Sequence, residues 1–237
     1  MKSFKTDTVY NADCIKEIVG LPDNCVDVSF TSPPYNRIRN DTYQLFDDTK
    51  SDEEYLKFLV EITKQMIRIT KRDVIVNLQM NHFNKWSYCK FIGEFADNMR
   101  GMIVWEKTNP QPASNPKNGT WSITNAYEMF FVLGKDNKEF RAYNKIKNHI
   151  TSAINDDHYN EHGAIMKREI AEWFIENFTK ENDVVFDPFM GTGTTAVACY
   201  LHDRHWFGFE IVPEYAKLCD FRLDQVYCEK NQLTMEI

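Results

Sequence analysis

Short runs of apolar, β-branched and aromatic residues recur along the chain, and turn residues bound each run. The runs are Val26–Phe30, Val74–Asn77, Met102–Trp105, Met129–Leu133, Val184–Phe186 and Trp206–Phe209. Continuous apolar runs of this length are typical of strands that are buried on both faces of a sheet. The pattern therefore predicts a series of buried strands.

Segments with helical periodicity lie between several of these runs. From Ser51 to Thr70, apolar residues recur on one stripe, and the sequence Ser-Asp-Glu-Glu at its start is a helix N-terminal signal. Ala196–Leu201, Ile165–Phe178 and Pro213–Tyr227 are also predicted to be helices, and Pro213 suits a first helical turn. Strands that alternate with helices predict an α/β fold with a doubly wound, mostly parallel sheet.

Two segments break this pattern. Thr108–Thr124 is rich in Pro, Asn and Ser, and Gly134–Glu161 is polar, basic and only weakly periodic. Long irregular segments inside a compact domain often carry function. We expect a single domain over residues 1–237, with a short target-recognition or DNA-contact insertion at about 108–161.

The composition restricts the class of protein but does not indicate a function. The chain has 237 residues, of which 43% are hydrophobic, no run long enough to span a bilayer, and no apolar signal-peptide core after Met1. We therefore expect a soluble, cytoplasmic protein without a membrane partner. The six cysteines form no C-x-x-C pair, so neither a metal site nor a disulfide framework is predicted.

The net charge of −7 argues mildly against a nucleic-acid partner, because non-specific DNA binding depends on basic residues. The distribution of charge matters more than its sum. Basic residues are concentrated between Lys135 and Lys147, and Arg37 and Arg39 form a second small group. Each group fits either a solvated loop or a DNA contact.

A glycine-containing motif follows one predicted strand. Asp187-Pro-Phe-Met-Gly-Thr-Gly-Thr-Thr195 comes directly after Val184–Phe186 and leads into a predicted helix. Closely spaced glycines let backbone N–H groups approach a ligand in the crevice at the carboxyl end of a sheet. The spacing matches neither G-x-G-x-x-G nor a P-loop. Glu210 ends the next strand, where a carboxylate can accept both ribose hydroxyls of a nucleoside.

A second motif, Thr31-Ser-Pro-Pro-Tyr-Asn36, follows the strand Val26–Phe30. Its two prolines predict a rigid turn that aims the carbonyls of Ser32 and Pro33 outward. These acceptors and the Ser32 hydroxyl suit an exocyclic amino group, which has two hydrogens to place. The Tyr35 ring offers a face on which a base could stack, worth about 1–3 kcal/mol.

Together, Ser-Pro-Pro-Tyr and Asp-Pro-Phe-x-Gly-x-Gly-Thr-Thr resemble the signature pair of the DNA amino-methyltransferases. The catalytic motif precedes the cofactor motif, which resembles the permuted β class of that family, and nearly the whole chain is covered. Asn11-Ala-Asp-Cys14, Trp105-Glu-Lys107 and Asn125-Ala-Tyr-Glu128 match further family segments in the expected order. The resemblance implies a circularly permuted, seven-stranded, Rossmann-like sheet that binds S-adenosylmethionine.

The two motifs, the basic groups described above and this resemblance together give three groups of predicted site residues, without a metal. The catalytic residues are Ser32, Pro33, Pro34 and Tyr35. The cofactor-binding residues are Asp13, Cys14, Asp187, Phe189, Gly191, Gly193, Thr194, Thr195 and Glu210. The DNA-contacting residues are Asn36, Arg37, Arg39, Lys107, Lys145 and Lys147.

The implied reaction is direct methyl transfer from S-adenosylmethionine to cytosine N4 after base flipping in double-stranded DNA. Thr-Ser-Pro-Pro-Tyr is commoner among cytosine-N4 enzymes of the family, but adenine N6 stays open. Methylation at cytosine C5 is excluded, because that route uses Pro-Cys and no cysteine here follows a proline. An inactive DNA-binding protein and an RNA or protein-glutamine methyltransferase are the more distant alternatives. A cognate restriction endonuclease is a candidate partner, and either a monomer or a homodimer fits.

Overall fold

The computed structural model describes residues 4–36, 49–110, 124–154 and 165–235, with the side chains of 231–235 left out. Within these ranges strands and helices alternate as the apolar pattern predicts, except for three strands between residues 99 and 152 that have no described helix between them. The strands are β1 (Thr8–Asn11), β2 (Val28–Thr31), β3 (Val74–Leu78), β4 (Met99–Lys107), β5 (Tyr127–Leu133), β6 (His149–Ser152), β7 (Val184–Asp187) and β8 (His205–Glu210). The α-helices are α1 (Cys14–Ile18), α2 (Asp52–Ile69), α3 (Lys85–Glu94), α4 (Arg168–Phe178), α5 (Thr194–Leu201) and α6 (Pro213–Met235).

The strands form one sheet in the order β1-β8-β7-β2-β3-β5-β4-β6. Only β5 is antiparallel to its neighbours β3 and β4, and every other pairing among the described strands is parallel. The predicted α/β class and the doubly wound, mostly parallel sheet are therefore confirmed.

The sheet has eight strands rather than the seven that the family resemblance implies. The additional strand is β6, which pairs with β4 at the sheet edge and lies in the segment that we expected to be irregular. Its sequence, His-Ile-Thr-Ser, is short and half-exposed, so it carries no apolar run. An edge strand that buries one face weakly leaves little signal in the sequence.

Helix α2 begins where its N-terminal signal predicts. The Ser51 hydroxyl accepts a hydrogen bond from the Glu54 backbone N–H, and the Glu54 carboxylate accepts one from the Ser51 N–H. This reciprocal capping box satisfies donors that the first helical turn would otherwise leave unpaired. The helix then buries one stripe against the sheet, which includes Tyr55, Leu59 and Ile62.

Each face of the sheet is covered by its own set of helices. Val74 and Val76 of β3 pack in the cluster that includes α2 and α3. Ile75, between them, faces the opposite cluster, where Phe174 of α4 lies. Because successive side chains of a strand point to opposite faces, burial on both faces explains why the strands read as continuous apolar runs.

The strand order reverses direction between β7 and β2. From β7 the chain continues to β8 on one side, whereas from β2 it continues to β3 on the other. In open α/β sheets such a switch point opens a crevice at the carboxyl ends of the strands. Asp187 ends β7 and Thr31 ends β2, so both predicted motifs begin at this crevice.

In the described ranges, no helix combines the length and apolar character needed to cross a membrane. The same residues contain no group of three or more His, Cys, Asp or Glu side chains arranged to hold a metal ion.

The capping box leads to a stability prediction. Ser51→Ala removes the side-chain acceptor of the cap, so the free energy of unfolding should fall by about 1 kcal/mol. Urea denaturation measures this change. Glu61→Ala, at an exposed interior position of the same helix, is the control and should change stability by less than about 0.5 kcal/mol. Equal effects of the two variants would contradict a specific contribution from the cap.

Candidate active site

The carboxylate of Asp187 joins three parts of the crevice. One oxygen accepts hydrogen bonds from the Thr31 hydroxyl (2.6 Å) and the Phe189 backbone N–H (2.9 Å). The other oxygen accepts from the Thr195 hydroxyl (2.6 Å). Burial raises the pKa of Asp187, although these three hydrogen bonds act in the opposite direction. Asp187, predicted to bind the cofactor, is 3% exposed here and ties the end of β2, the glycine turn and the start of α5 together.

The glycine turn has the backbone conformation that its sequence predicts. Gly191 and Gly193 have φ values of 54° and 85°, in the left-handed region that favours glycine. A Cβ at Gly193 would also lie 2.4 Å from the Sγ and 3.1 Å from the Cα of Cys219 in α6. Helix α6 therefore packs directly against this turn, and a side chain at Gly193 would clash with it.

Arg222 supports the glycine turn from α6, and no pattern in the sequence singles it out. Its guanidinium is buried and donates to both the carbonyl and the hydroxyl of Thr192, each at 2.8 Å. A weaker contact reaches the Thr194 hydroxyl at 3.3 Å. One cation thus fixes the side of the turn remote from Asp187. Its position in the middle of a helix resembles that of any surface arginine, which explains why the sequence did not identify it.

Glu210 ends β8 beside the turn, as predicted. Its two carboxylate oxygens accept from the backbone N–H groups of Gly191 and Val212, each at 2.8 Å. Burial raises the pKa of Glu210. The Ile211 N–H is a third backbone donor, so of the roughly four lone-pair positions of a carboxylate about one remains for a further donor.

The ends of β1 and β8 meet next to Glu210. The Asn11 side chain donates to the Glu210 carbonyl at 2.9 Å, and Asp13 caps α1 by accepting from the Ile15 N–H at 3.1 Å. Cys14 is buried, and burial raises the pKa of its thiol. Asp13 and Cys14 therefore lie near Glu210, where the family resemblance expects them.

This set of groups fits the nucleoside part of S-adenosylmethionine. Glu210 supplies a carboxylate with acceptor capacity for a ribose hydroxyl. Phe189 is partly exposed on one side of the turn, and Ile211, directly after Glu210, is 39% exposed. An acceptor flanked by partly exposed apolar side chains suits a ribose that carries a planar base. Ile211 was not predicted, and its exposure next to a buried carboxylate is a structural signal only.

Three side chains donate hydrogen bonds to backbone carbonyls of the catalytic motif. The Tyr55 hydroxyl donates to the Pro34 carbonyl at 2.7 Å, and the Asn84 and Asn81 side-chain amides donate to the Tyr35 carbonyl at 2.8 and 3.1 Å. No hydrogen bond from the described residues engages the Pro33 carbonyl. That carbonyl keeps its acceptor capacity within the described residues, and its role toward an amino group stays a prediction.

Asn36 follows the motif with a positive φ of 53° and is buried. Its side chain donates to the Lys50 carbonyl at 2.9 Å and accepts from the Lys50 N–H at 3.0 Å. We predicted a DNA contact for Asn36, but in this structure its amide joins the motif to Lys50, two residues before α2.

The Tyr35 ring does not present an open face in this structure. It is 6% exposed and packs in the apolar cluster on the α2 side of the sheet. Its hydroxyl lies 2.9 Å from Ser32 Oγ and 3.0 Å from Glu128 Oε2, and it also contacts Asn77 Oδ1. Stacking of a base on Tyr35 stays a prediction, and it requires the ring or its cover to move.

Lys107 and Glu128 form a buried ion pair beside Tyr35. The Lys107 ammonium lies 2.6 Å from Glu128 Oε1, and these side chains are only 8% and 10% exposed. The same ammonium lies 5.3 Å from the centre of the Trp105 ring. Lys107, predicted to contact DNA, is thus part of the support of the catalytic motif in this structure.

The other predicted DNA residues do not meet at the crevice. Arg37 and Arg39 lie outside the described residues. Lys145 and Lys147 are exposed in the segment between β5 and β6. That segment leaves β5 at Leu133, which pairs with the first residue of β3, so it starts at the edge opposite the catalytic motif. It then leads into β6, which lies four strand spacings, about 19 Å, from β2.

The permuted strand order and the two motifs at the switch point define a Rossmann-like methyltransferase. The DNA methylase family profile matches residues 26–220, so the chain belongs to that family. Among curated relatives, the Type II methyltransferase M.BglII of Bacillus subtilis is 26% identical and covers 94% of this chain and 74% of its own. The Type II methyltransferase M.HinfI of Haemophilus influenzae is 23% identical, covering 97% and 71%.

Solved structures share the fold at lower identity. PvuII DNA methyltransferase, described as cytosine-N4-specific, superposes with a TM-score of 0.75 at 16% identity and covers 97% of this chain and 93% of its own. A putative DNA modification methylase from Thermus thermophilus, complexed with S-adenosylmethionine, gives 0.66 at 20% identity, covering 92% and 93%. The family and these structures support the cofactor expected from the sequence.

The raised pKa of Glu210 leads to a prediction about cofactor binding. A carboxyl group with a raised pKa gains its proton at a higher pH than an ordinary glutamate, and the protonated form accepts ribose hydroxyls less well. The Kd for S-adenosylmethionine, measured by calorimetry, should therefore rise as the pH falls from neutral toward the ordinary carboxylate range.

Two variants separate this effect from general acid sensitivity. Glu210→Gln should bind more weakly at neutral pH and lose the pH dependence. Glu214→Gln, at an exposed position in the first turn of α6, should behave as the wild type. A wild-type Kd that stays constant on acidification would contradict the assignment of Glu210 to the ribose.

Proposed function

We propose that this DNA methylase transfers a methyl group from S-adenosylmethionine to N4 of cytosine in double-stranded DNA. The main support for this proposal is the position of Ser32 and the Pro33 carbonyl at the switch point. They lie beside the turn that Asp187 and Glu210 anchor. Ser rather than Asp before Pro-Pro-Tyr favours cytosine in this family. The likeness of the fold to PvuII DNA methyltransferase, described as cytosine-N4-specific, supports the same choice.

The residues of the chain bind and orient the two reactants. Glu210 and the turn at Gly191–Gly193 would hold the cofactor, which when bound would supply an electrophilic methyl group on a sulfonium. The target cytosine is stacked in duplex DNA and has to be flipped out, at a cost of a few kcal/mol. Ser32 and the Pro33 carbonyl then accept its two amino hydrogens, which leaves the nitrogen lone pair directed toward the methyl group. Positioning of this kind supplies much of the rate enhancement.

Adenine N6 is the second candidate, because its amino group offers the same two hydrogens. The methylated nucleoside distinguishes cytosine N4 from adenine N6 directly. After incubation of unmethylated plasmid with the protein and S-adenosylmethionine, mass spectrometry of nucleosides should show N4-methylcytosine.

Ser32→Ala is the control in this assay. It should lose most of the transfer while calorimetry shows near-normal cofactor binding, since Ser32 makes no contact with the glycine turn among the described hydrogen bonds. N6-methyladenine would overturn the choice of cytosine. Absence of any methylated nucleoside under conditions of confirmed cofactor binding would count against DNA as the substrate.

The start of α3 offers a DNA-facing surface next to the catalytic motif. Asn81 and Asn84 bond the Tyr35 carbonyl, and the exposed side chains around them include Phe83, Trp86 and Lys85. Lys90 lies over the Trp86 ring, 5.6 Å from its centre. No acidic residue occurs between Val74 and Gly93, although the whole chain has a net charge of −7. Exposed aromatic and basic side chains beside the site fit a nucleic-acid contact.

The two lysine pairs can be compared directly. Lys85→Ala with Lys90→Ala should weaken DNA binding and reduce the slope of log K against log salt by about 1–2 units, because each lysine neutralises up to one phosphate. Lys145→Ala with Lys147→Ala removes the same charge at the far edge and is the matched control. Fluorescence anisotropy over a salt series measures both. A larger effect of the Lys145 and Lys147 pair would place the DNA on the β6 side.

The remaining assignments extend this proposal. The insertion at about 108–161, apart from the far-edge Lys145 and Lys147, would carry target recognition within a single methyltransferase domain, and the protein would act on DNA in the cytoplasm. A cognate restriction endonuclease is the proposed partner, since M.BglII and M.HinfI are Type II methyltransferases. M.BamHII of Bacillus amyloliquefaciens, 26% identical, is described as an orphan methyltransferase, so a partner is not a requirement of the fold.

A further inference from the structure

Among the described residues, the Tyr35 hydroxyl contacts the side chains of Ser32, Asn77 and Glu128, but it has only one proton. Ser32 Oγ lies at 2.9 Å, Glu128 Oε2 at 3.0 Å, and Asn77 Oδ1 is also in contact. A tyrosine hydroxyl donates once and accepts up to twice. It therefore cannot donate to both Asn77 and Glu128, and one of these contacts has to run in the other direction.

Asn77 identifies which contact is reversed. Its side chain is fully buried, and its Nδ2 has no hydrogen-bond partner within the described residues. Exchange of the amide oxygen and nitrogen, which have nearly the same shape, turns Nδ2 toward Tyr35 and makes it a donor. The buried amide N–H then has a partner, and the unpaired position falls to a carbonyl oxygen, which proteins leave unpaired more often than an N–H.

The direction of the remaining hydrogen bonds follows from charge. Glu128 is paired with Lys107 at 2.6 Å and can only accept, and a hydrogen bond to a carboxylate is stronger than one to a neutral amide. Tyr35 therefore donates to Glu128. Its oxygen then accepts from Asn77 and, with its second lone pair, from Ser32. The single proton of the Ser32 hydroxyl is committed to Tyr35.

We propose that the buried chain from Lys107 through Glu128 and Tyr35 makes Ser32 an obligate hydrogen-bond acceptor toward the amino group of the target base. Lys107, Glu128 and Asn77 are positioning residues, because they act through Tyr35 and Ser32. The proposal rests on the proposed function, in which Ser32 binds the amino group. It adds the reason why a serine can do so.

A free serine hydroxyl is ambiguous toward an amine. It accepts an N–H hydrogen bond in one rotamer, and in another it donates its proton to the nitrogen lone pair, which is the pair that has to attack the methyl group. An aspartate has no such alternative, because its ionised carboxylate only accepts. Fixing the serine proton on Tyr35 removes the unproductive rotamer and leaves both Ser32 lone pairs available.

The test is a double-mutant cycle on single-turnover methylation of DNA. Tyr35→Phe and Glu128→Gln should each lower the transfer rate about tenfold in the native Ser32 background, with the Kd for S-adenosylmethionine unchanged. In a Ser32→Asp background, whose carboxylate needs no fixed proton, the same two changes should cost less than about twofold. Tyr88→Phe, another buried tyrosine on the same side of the sheet, is the matched control and should leave the rate unchanged in both backgrounds.

A second cycle covers the case in which Ser32→Asp is inactive. In a Ser32→Ala background, Tyr35→Phe should add less than about twofold to the loss, since there is no hydroxyl left to orient. Equal losses from Tyr35→Phe with and without the Ser32 hydroxyl would overturn the proposal and leave Tyr35 a purely structural support. So would a Glu128→Gln variant whose only change is weaker cofactor binding.

The outcomes also separate this proposal from the proposed function. If the wild-type product is N6-methyladenine, the choice of cytosine fails, and the cycle still measures the role of Ser32 on the adenine amino group. If the product is N4-methylcytosine but the rate losses from the Tyr35 and Ser32 substitutions are independent of each other, the proposed function stands. Only the proposal that the network fixes the Ser32 proton is then wrong.

Discussion

The arrangement of the site depends on one buried carboxylate, that of Asp187. A carboxylate removed from water is unfavourable unless its oxygens are hydrogen-bonded, and here the donors come from β2, from the glycine turn and from α5. Each donor belongs to a different part of the site. Because the Asp187 carboxylate bonds to all three parts, its hydrogen bonds fix the distance between the catalytic motif and the cofactor turn. Arg222 and Glu210 then fix the turn from its other sides.

The sequence predicted the parts of this protein that carry strong local signals. Buried strands such as Met129–Leu133 read as apolar runs, and the Ser51 cap marked the start of α2. The strands β1 and β6 and the helices α1 and α3 were missed, because half-exposed edge strands, a five-residue helix and a weakly amphipathic helix leave little periodicity. Both signature motifs were correctly predicted to follow strands, and the strand order then places both of these strand ends at the switch point.

The sequence could not predict how site residues share their hydrogen bonds. Lys107 reads as a basic residue after a strand, and only the tertiary structure shows that it faces Glu128 in a nearly water-free position. Asn77, Arg222 and Ile211 carry no motif, so their roles depend on contacts between segments distant in the chain. Lys145 and Lys147 are the opposite case: they form a conspicuous basic cluster in the sequence but lie away from the crevice. The sequence does not indicate which edge of the sheet such a cluster will occupy.

The permuted strand order also determines when the site can exist during synthesis. β1 hydrogen-bonds only to β8 among the described strands, and the Asn11–Glu210 contact joins residues 199 positions apart. The catalytic motif leaves the ribosome early, but its neighbour β7 and the acceptor Asp187 follow 156 residues after Thr31. The strands that join β1 to β2 are thus the last to be made. Until β7 and β8 are made, β1 has no partner among the described strands and β2 has an unpaired edge, and unpaired strand edges of this kind favour aggregation.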